Sequence, residues 1–292
     1  MESGKEVINI KFTKMRIKVT VLLAFIMSGL INAQSVKDKV CLDNTEQFSI
    51  ASKYVAGENY VIQVGLPSGY SSANKSYPVL YIIDGDVLFG MIRESADWLM
   101  YTNNIKEIIV VGISYGQGRD VWLKKRNRDL IPSIDALSDK GYDDTGINNF
   151  IKFIQFELFP MVNKNYRTNP DSSSVLGGSY GGFFNSYVLF TQPELFNGYL
   201  IDCPALDWNN KMISKLETDY YSKHKELNAT VYITYGSLET KIDTNTVNDL
   251  IHTVQAHNYK GINLVKKVFE GETHTSIFSA AIAVQLRTLF KP

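Results

Sequence analysis

The chain has 292 residues, 45% of them hydrophobic, and its 30 basic side chains balance 30 acidic ones. A neutral total argues against a nucleic-acid binder, which draws its affinity from a basic face. Two cysteines, Cys41 and Cys203, are too few for a disulfide framework or a cysteine-based zinc site, which leaves a globular protein with core enough for one large domain.

Residues 15–35 read MRIKVTVLLAFIMSGLINAQS. Arg16 and Lys18 precede an apolar run from Val19 to Leu30, and the small residue Ala33 follows, the pattern of a secretory signal peptide. The run is shorter than the roughly 20 residues of a membrane span; an N-terminal anchor helix is the competing reading. The expectation is a leader over residues 1–33 and a mature domain over 34–292, secreted or periplasmic, with no stable membrane span after cleavage. Export would permit Cys41 to pair with Cys203. Two separate thiols are the simpler reading, and both stay open.

Along the mature chain, residues 59–66 alternate with Tyr60, Ile62 and Val64 on one face, as in a strand with one buried side. The runs Pro78–Ile83 and Ile108–Ile113 are short, continuous and β-branched, which suits strands buried on both faces. Residues 150–162 space apolar side chains at helical period. Further on, 174–176, 198–201, 231–235 and 264–269 read as strands, and 183–190, 247–257 and 277–289 as helices. Strands alternating with helices imply a mostly parallel central sheet with helices on both faces, in one α/β domain.

Gly177-Gly178-Ser179-Tyr180-Gly181 matches G-x-S-x-G between a strand and a helix. That pattern lifts a serine hydroxyl above the sheet on a tight turn, with small residues letting neighbouring backbone pass. A second match, Gly112-Ile113-Ser114-Tyr115-Gly116, lacks an apolar helical run after it, so Ser114 reads as a strand-end residue and Ser179 as the nucleophile.

A serine needs a base, and the base an orienting acid. Of the four histidines, His252 and His257 fall in an expected helix and His224 in a charged stretch, where solvated surface positions are expected. His274 lies in a loop directly after strand 264–269, where sites of parallel sheets form. For the acid, Glu239 is nearest the end of strand 231–235; Asp243, four residues on, is the rival, with helix capping as its alternative role. Oxyanion donors are expected from the backbone of Tyr180 and of Gly85, the glycine letting backbone approach the substrate, with the flanking Asp84 and Asp86 side chains turned away. No metal site or cofactor is called for.

The chain resembles the putative esterase family of α/β-hydrolases, the group of enterochelin-type siderophore esterases, feruloyl esterases and S-formylglutathione hydrolase. The resemblance is carried by Tyr77-Pro78-Val79-Leu80-Tyr81 leading into Asp84-Gly85, by Phe156-Glu157-Leu158-Phe159-Pro160, by Gly178-Ser179-Tyr180-Gly181-Gly182, by Pro193-Glu194-Leu195-Phe196, by Cys203-Pro204-Ala205-Leu206 and by Gly271-Glu272-Thr273-His274. It implies the α/β-hydrolase fold, Ser179 as nucleophile, His274 as base and an acid in the region 236–239. Cys203 stands where a serine is common, beside the site rather than in it, and adds a potentially reactive thiol.

The expected activity is serine carboxylic-ester hydrolysis through an acyl-enzyme, on a small-molecule ester, with siderophore-like or aromatic acyl esters suggested. An acyltransferase on the same scaffold and a non-catalytic binding member of the fold are the alternatives; oligomeric state is not readable. Residues 114–149 form a lid-like insertion carrying Arg119, Lys124, Lys125, Arg126 and Arg128 with Trp122 among them. Arg119 or Arg126 is expected to face an anionic or catechol-bearing acyl group, and Trp122 to stack on an aromatic ring. A solvated basic surface neutralised by Asp120, Asp129, Asp135 and Asp139 is the plainer reading.

Overall fold

The computed structural model of the protein describes residues 40–135, 138 and 141–292, so the expected leader at 1–33 lies outside the described residues. In chain order the elements are β1 (Thr45–Ala51), β2 (Asn59–Gly65), β3 (Tyr77–Ile82), α1 (Gly85–Tyr101), β4 (Ile109–Ser114), α2 (Arg119–Leu130), β5 (Ser133–Ile134) and β6 (Tyr142–Asp143). Then come α3 (Thr145–Phe153), α4 (Phe159–Asn165), β7 (Thr168–Gly178), α5 (Tyr180–Thr191), β8 (Gly198–Asp202), α6 (Trp208–Lys223), β9 (Glu226–Gly236), α7 (Lys241–His257), β10 (Lys260–Phe269) and α8 (Ile277–Leu289).

Eight strands form one sheet in the order β1-β2-β4-β3-β7-β8-β9-β10. β2 runs antiparallel to β1 and to β4, and every other pairing is parallel. This is the mostly parallel sheet the alternation implied. Every residue of β4 is buried and β3 nearly so, because helices cover both faces there. On one face α1 and α8 bury Leu88, Phe89, Ile92, Ile282 and Leu286; on the other, the layer that includes α3, α5, α6 and α7 buries Phe150, Phe183, Phe184, Ile213 and Leu250.

Three helices, α1, α2 and α6, depart from the sequence reading, and the first two shape the site. α1 follows Asp84-Gly85-Asp86, a turn signal, yet Leu88, Phe89, Ile92, Ala96 and Leu99 form a helical stripe that is buried. α2 occupies 119–130 inside what reads as a long loop, and its buried residues are Arg126, Asp129 and Leu130. It is anchored by charge: the fully buried Asp129 carboxylate accepts from Tyr60 and Tyr115 hydroxyls and from Arg128, and Glu58 pairs with Lys125 and Arg128. α3 and α4 continue one another through a π turn at 154–158; Pro160, which has no N–H to return to the previous turn, stands just after it. Among the described residues no helix is long and apolar enough to cross a membrane.

Candidate active site

β7 ends at Gly178, α5 begins at Tyr180, and Ser179 between them takes φ 57° and ψ −117°. That strained backbone is held by bonds on both sides: Ser179 N donates to Asp202 O at 3.0 Å, and Phe183 N to Ser179 O at 2.9 Å. The motif's glycines follow from packing. A Cβ on Gly177 would lie 2.6 Å from the carbonyl oxygen of Gly181, and one on Gly178 would overlap the Phe278 ring. Ser114, in the second match, is the last residue of β4, 2% exposed, with its hydroxyl donated to Gln63 Oε1 at 2.7 Å. It is a buried structural hydroxyl, as its strand-end reading implied.

The loops after β9 and β10 carry Glu239 and His274 and are tied together. Ser237 N donates to Phe269 O, Leu238 N to Glu272 O, and Gly271 N to Ser237 Oγ. His274 Nδ1 lies 3.0 Å from Glu239 Oε2; the Glu239 side chain is 2% exposed and that of His274 43%. A proton on Nδ1 is thereby donated to the carboxylate, which leaves Nε2 unprotonated in the neutral ring. Asp243 is engaged elsewhere, its backbone N–H and carboxylate both bonded to the Thr240 hydroxyl at the start of α7. His224 and His252 are exposed, as expected. His257 is not a solvated histidine: its Nδ1 lies 2.7 Å from the fully buried Glu217 and its ring stacks flat on Tyr221.

Ser179 and His274 line one cleft of about 280 Å³, together with Asp84, Arg119, Trp122 and Arg126. Asp84, at φ 63° just before α1, accepts from Trp122 Nε1 at 2.9 Å and from Arg126 through Nε at 2.8 Å and Nη2 at 2.7 Å. The Arg126 guanidinium lies over both the Trp122 and Tyr180 rings, 4.9 and 5.2 Å from their centroids. Arg126, which lines the cleft, is 7% exposed and its fork is taken by Asp84; the Asp84 carboxylate, expected to turn away, lines the cleft with its charge matched. Asp86 does turn away, accepting from Tyr115 and Gly116 N–H. Arg119 is exposed and makes no ion pair among the described residues.

Tyr180 and Gly85 stand at the first positions of α5 and α1, where backbone amides have no intrahelical acceptor. Packing also requires glycine at 85: a Cβ there would lie 2.6 Å from Ser114 Oγ and 2.9 Å from Ile113 N.

Cys203 was expected beside the site and stands in it. A ligating atom from each of Cys203, Glu239 and His274 lies within 4.8 Å of the others, and Cys203 Sγ contacts the His274 carbonyl at 3.4 Å. Burial, with Asp202 and Glu239 adding to it, pushes its pKa far above the usual range, so the thiol stays protonated while no cation is bound. The fully buried Asp202 is raised by desolvation to about 7, an effect its hydrogen bond from Gln285 only partly offsets.

Residues 52–289 match the family described as Putative esterase. The ferri-bacillibactin esterase BesA of Bacillus subtilis is 25% identical over 232 residues, 74% of this chain and 80% of its own length. A siderophore triacetylfusarinine C esterase of Aspergillus fumigatus is 26% identical over 284 residues, 86% of this chain and 95% of its own. Among solved structures, the BES protein from Bacillus cereus matches with a TM-score of 0.77 at 26% identity, covering 89% of this chain and 100% of that one. The siderophore hydrolase EstB from Aspergillus nidulans matches with a TM-score of 0.77 at 22% identity, covering 87% and 98%, and shows the shared fold. The chain belongs to the Putative esterase family, has the α/β-hydrolase fold and is an ester-hydrolysing enzyme.

Proposed function

We propose that the protein is an exported serine esterase that cleaves siderophore esters through Ser179, His274 and Glu239. The observation that carries the reading is the 3.0 Å contact of His274 Nδ1 with buried Glu239, on a histidine that shares its cleft with Ser179. Glu239 holds the Nδ1–H tautomer, so Nε2 takes the Ser179 proton as Oγ attacks the ester carbonyl. The Tyr180 and Gly85 amides, at two helix N-termini, stabilise the oxyanion. Collapse expels the alcohol with the proton from Nε2, leaving an acyl-enzyme; water then repeats the sequence and frees the acid.

The substrate class rests on the names of the relatives and on the cleft wall, where the Trp122 ring and the exposed Arg119 cation suit an aromatic, anionic acyl group such as a catecholate. Export rests on the leader pattern at 16–33. The test is hydrolysis of a catecholate trilactone, a hydroxamate siderophore ester and a small aryl acetate, followed by mass analysis of the released acids. Preference for either siderophore ester by kcat/KM supports the reading; cleavage of the aryl acetate alone contradicts its substrate half.

A further inference from the structure

The triad reading leaves two polar atoms unused. Glu239 Oε1 is buried with no hydrogen-bond partner among the described residues, on a side chain 2% exposed. Cys203 Sγ is 3% exposed, at a residue held at φ 34° by its N–H bond to Thr234 O. An orphaned carboxylate oxygen in a buried site forgoes a stabilising partner, and a thiol is a poor hydrogen-bond donor to it. One ligand atom from each of Cys203, Glu239 and His274, a sulfur, a carboxylate oxygen and a ring nitrogen, lies within 4.8 Å of the others.

We propose that Cys203, Glu239 and His274 form a binding site for a thiophilic divalent cation such as zinc, and that occupancy of this site switches hydrolysis off. Bond lengths of about 2.0–2.3 Å to sulfur, nitrogen and oxygen place tetrahedral ligands about 3.4–3.8 Å apart. Contraction by about an ångström from the observed spread closes the site. The His274 side chain is 43% exposed and lines the cleft, which offers an entry path and an open fourth position for water. One thiolate and one carboxylate neutralise the dication, so the buried assembly carries no net charge.

The protons balance. The Cys203 thiol releases one proton to solvent as the metal–sulfur bond forms. His274 ligates through Nδ1, the nitrogen facing Glu239, so its proton relocates to Nε2. An imidazole protonated at Nε2 cannot accept the Ser179 proton, and Glu239 is now a ligand rather than an orienting acid. Both effects stop attack on the ester without the metal touching Ser179.

The inhibitory half of this inference rests on the triad reading, whereas the binding half does not, and the experiment separates them. Cd²⁺ is titrated into the full chain while the thiolate-to-cadmium charge-transfer band is followed, and Zn²⁺ into hydrolysis assays with chelator reversal. The expected result is one Cd²⁺ per chain with a thiolate band, affinity weakened at least about tenfold in both Cys203→Ser and His274→Gln, and loss of hydrolysis at one equivalent of Zn²⁺. No band, a band that disappears in Cys41→Ser, or affinity unchanged in Cys203→Ser overturns the site. If Cys203→Ser does not fold, unchanged affinity in His274→Gln overturns it equally. Binding that depends on Cys203 and His274 while hydrolysis continues undiminished supports the site and contradicts the triad.

Discussion

The backbone of Gly236 lies so close to Glu272 that a Cβ at position 236 would overlap the Glu272 carbonyl oxygen. That contact seats the loop carrying His274 on the loop carrying Glu239, because Gly236 ends β9 and Glu272 stands two residues before the histidine. Gly236→Ala is expected to push the loops apart, costing about 1–3 kcal/mol in stability and lowering kcat more than the stability loss explains. Thermal melts and kcat measured well below Tm check this; a destabilised enzyme with full kcat would separate the contact from the site.

Glu239→Gln is expected to lower kcat by on the order of a hundredfold or more, since an amide no longer fixes the imidazole tautomer. Asp243→Asn is expected to leave kcat nearly unchanged and to cost at most about 1 kcal/mol, in keeping with its place at the α7 terminus. Parallel steady-state kinetics and melts of the two variants rank the carboxylates, and the reverse ranking moves the role to Asp243.

Asp202 couples the fold to pH. Its folded pKa of about 7 is raised above the ordinary carboxylate value by burial, so the native state keeps a proton that the unfolded chain releases near pH 4. Its contribution is therefore fully present below about pH 4 and is lost as pH rises to about 7, by as much as about 4 kcal/mol at the usual 1.4 kcal/mol per unit. Asp202→Asn should flatten the stability curve over that interval and exceed the wild type above pH 7. Denaturant titrations at pH 5 and pH 8 check it; an equal difference between the proteins at both pH values contradicts the assignment.

The two arginines of the cleft should part company. Arg126→Ala leaves Asp84 buried and unpaired and is expected to cost about 3–5 kcal/mol, with activity lost on every ester. Arg119→Ala is expected to leave Tm within about 1 °C and to raise KM severalfold for an anionic aromatic ester while sparing a neutral one. Melts and KM for the two esters decide, and equal KM effects on both would remove Arg119 from substrate binding.

What was legible in the sequence follows the physics of each element. β3 and β4 announce themselves as unbroken apolar runs because both of their faces are covered, and the Gly177-x-Ser179-x-Gly181 spacing is local geometry that any chain making that turn must obey. Glu239 and His274 are legible because each directly follows a strand whose direction the pattern sets. α2 is hidden because its buried side carries Arg126 and Asp129 rather than an apolar stripe, and its partners Asp84, Glu58 and Tyr60 lie 40 to 70 residues away. Cys203 enters the site only through the lateral order of β8, β9 and β10, which local pattern does not encode.

The most direct test of the central claim is stoichiometric labelling with a fluorophosphonate followed by peptide mapping. One label per chain on Ser179 is the predicted result, with labelling slowed by on the order of a thousandfold in His274→Gln and unaffected in Ser114→Ala. Label on Ser114, on both serines, or on neither at conditions of full ester hydrolysis would contradict Ser179 as the nucleophile.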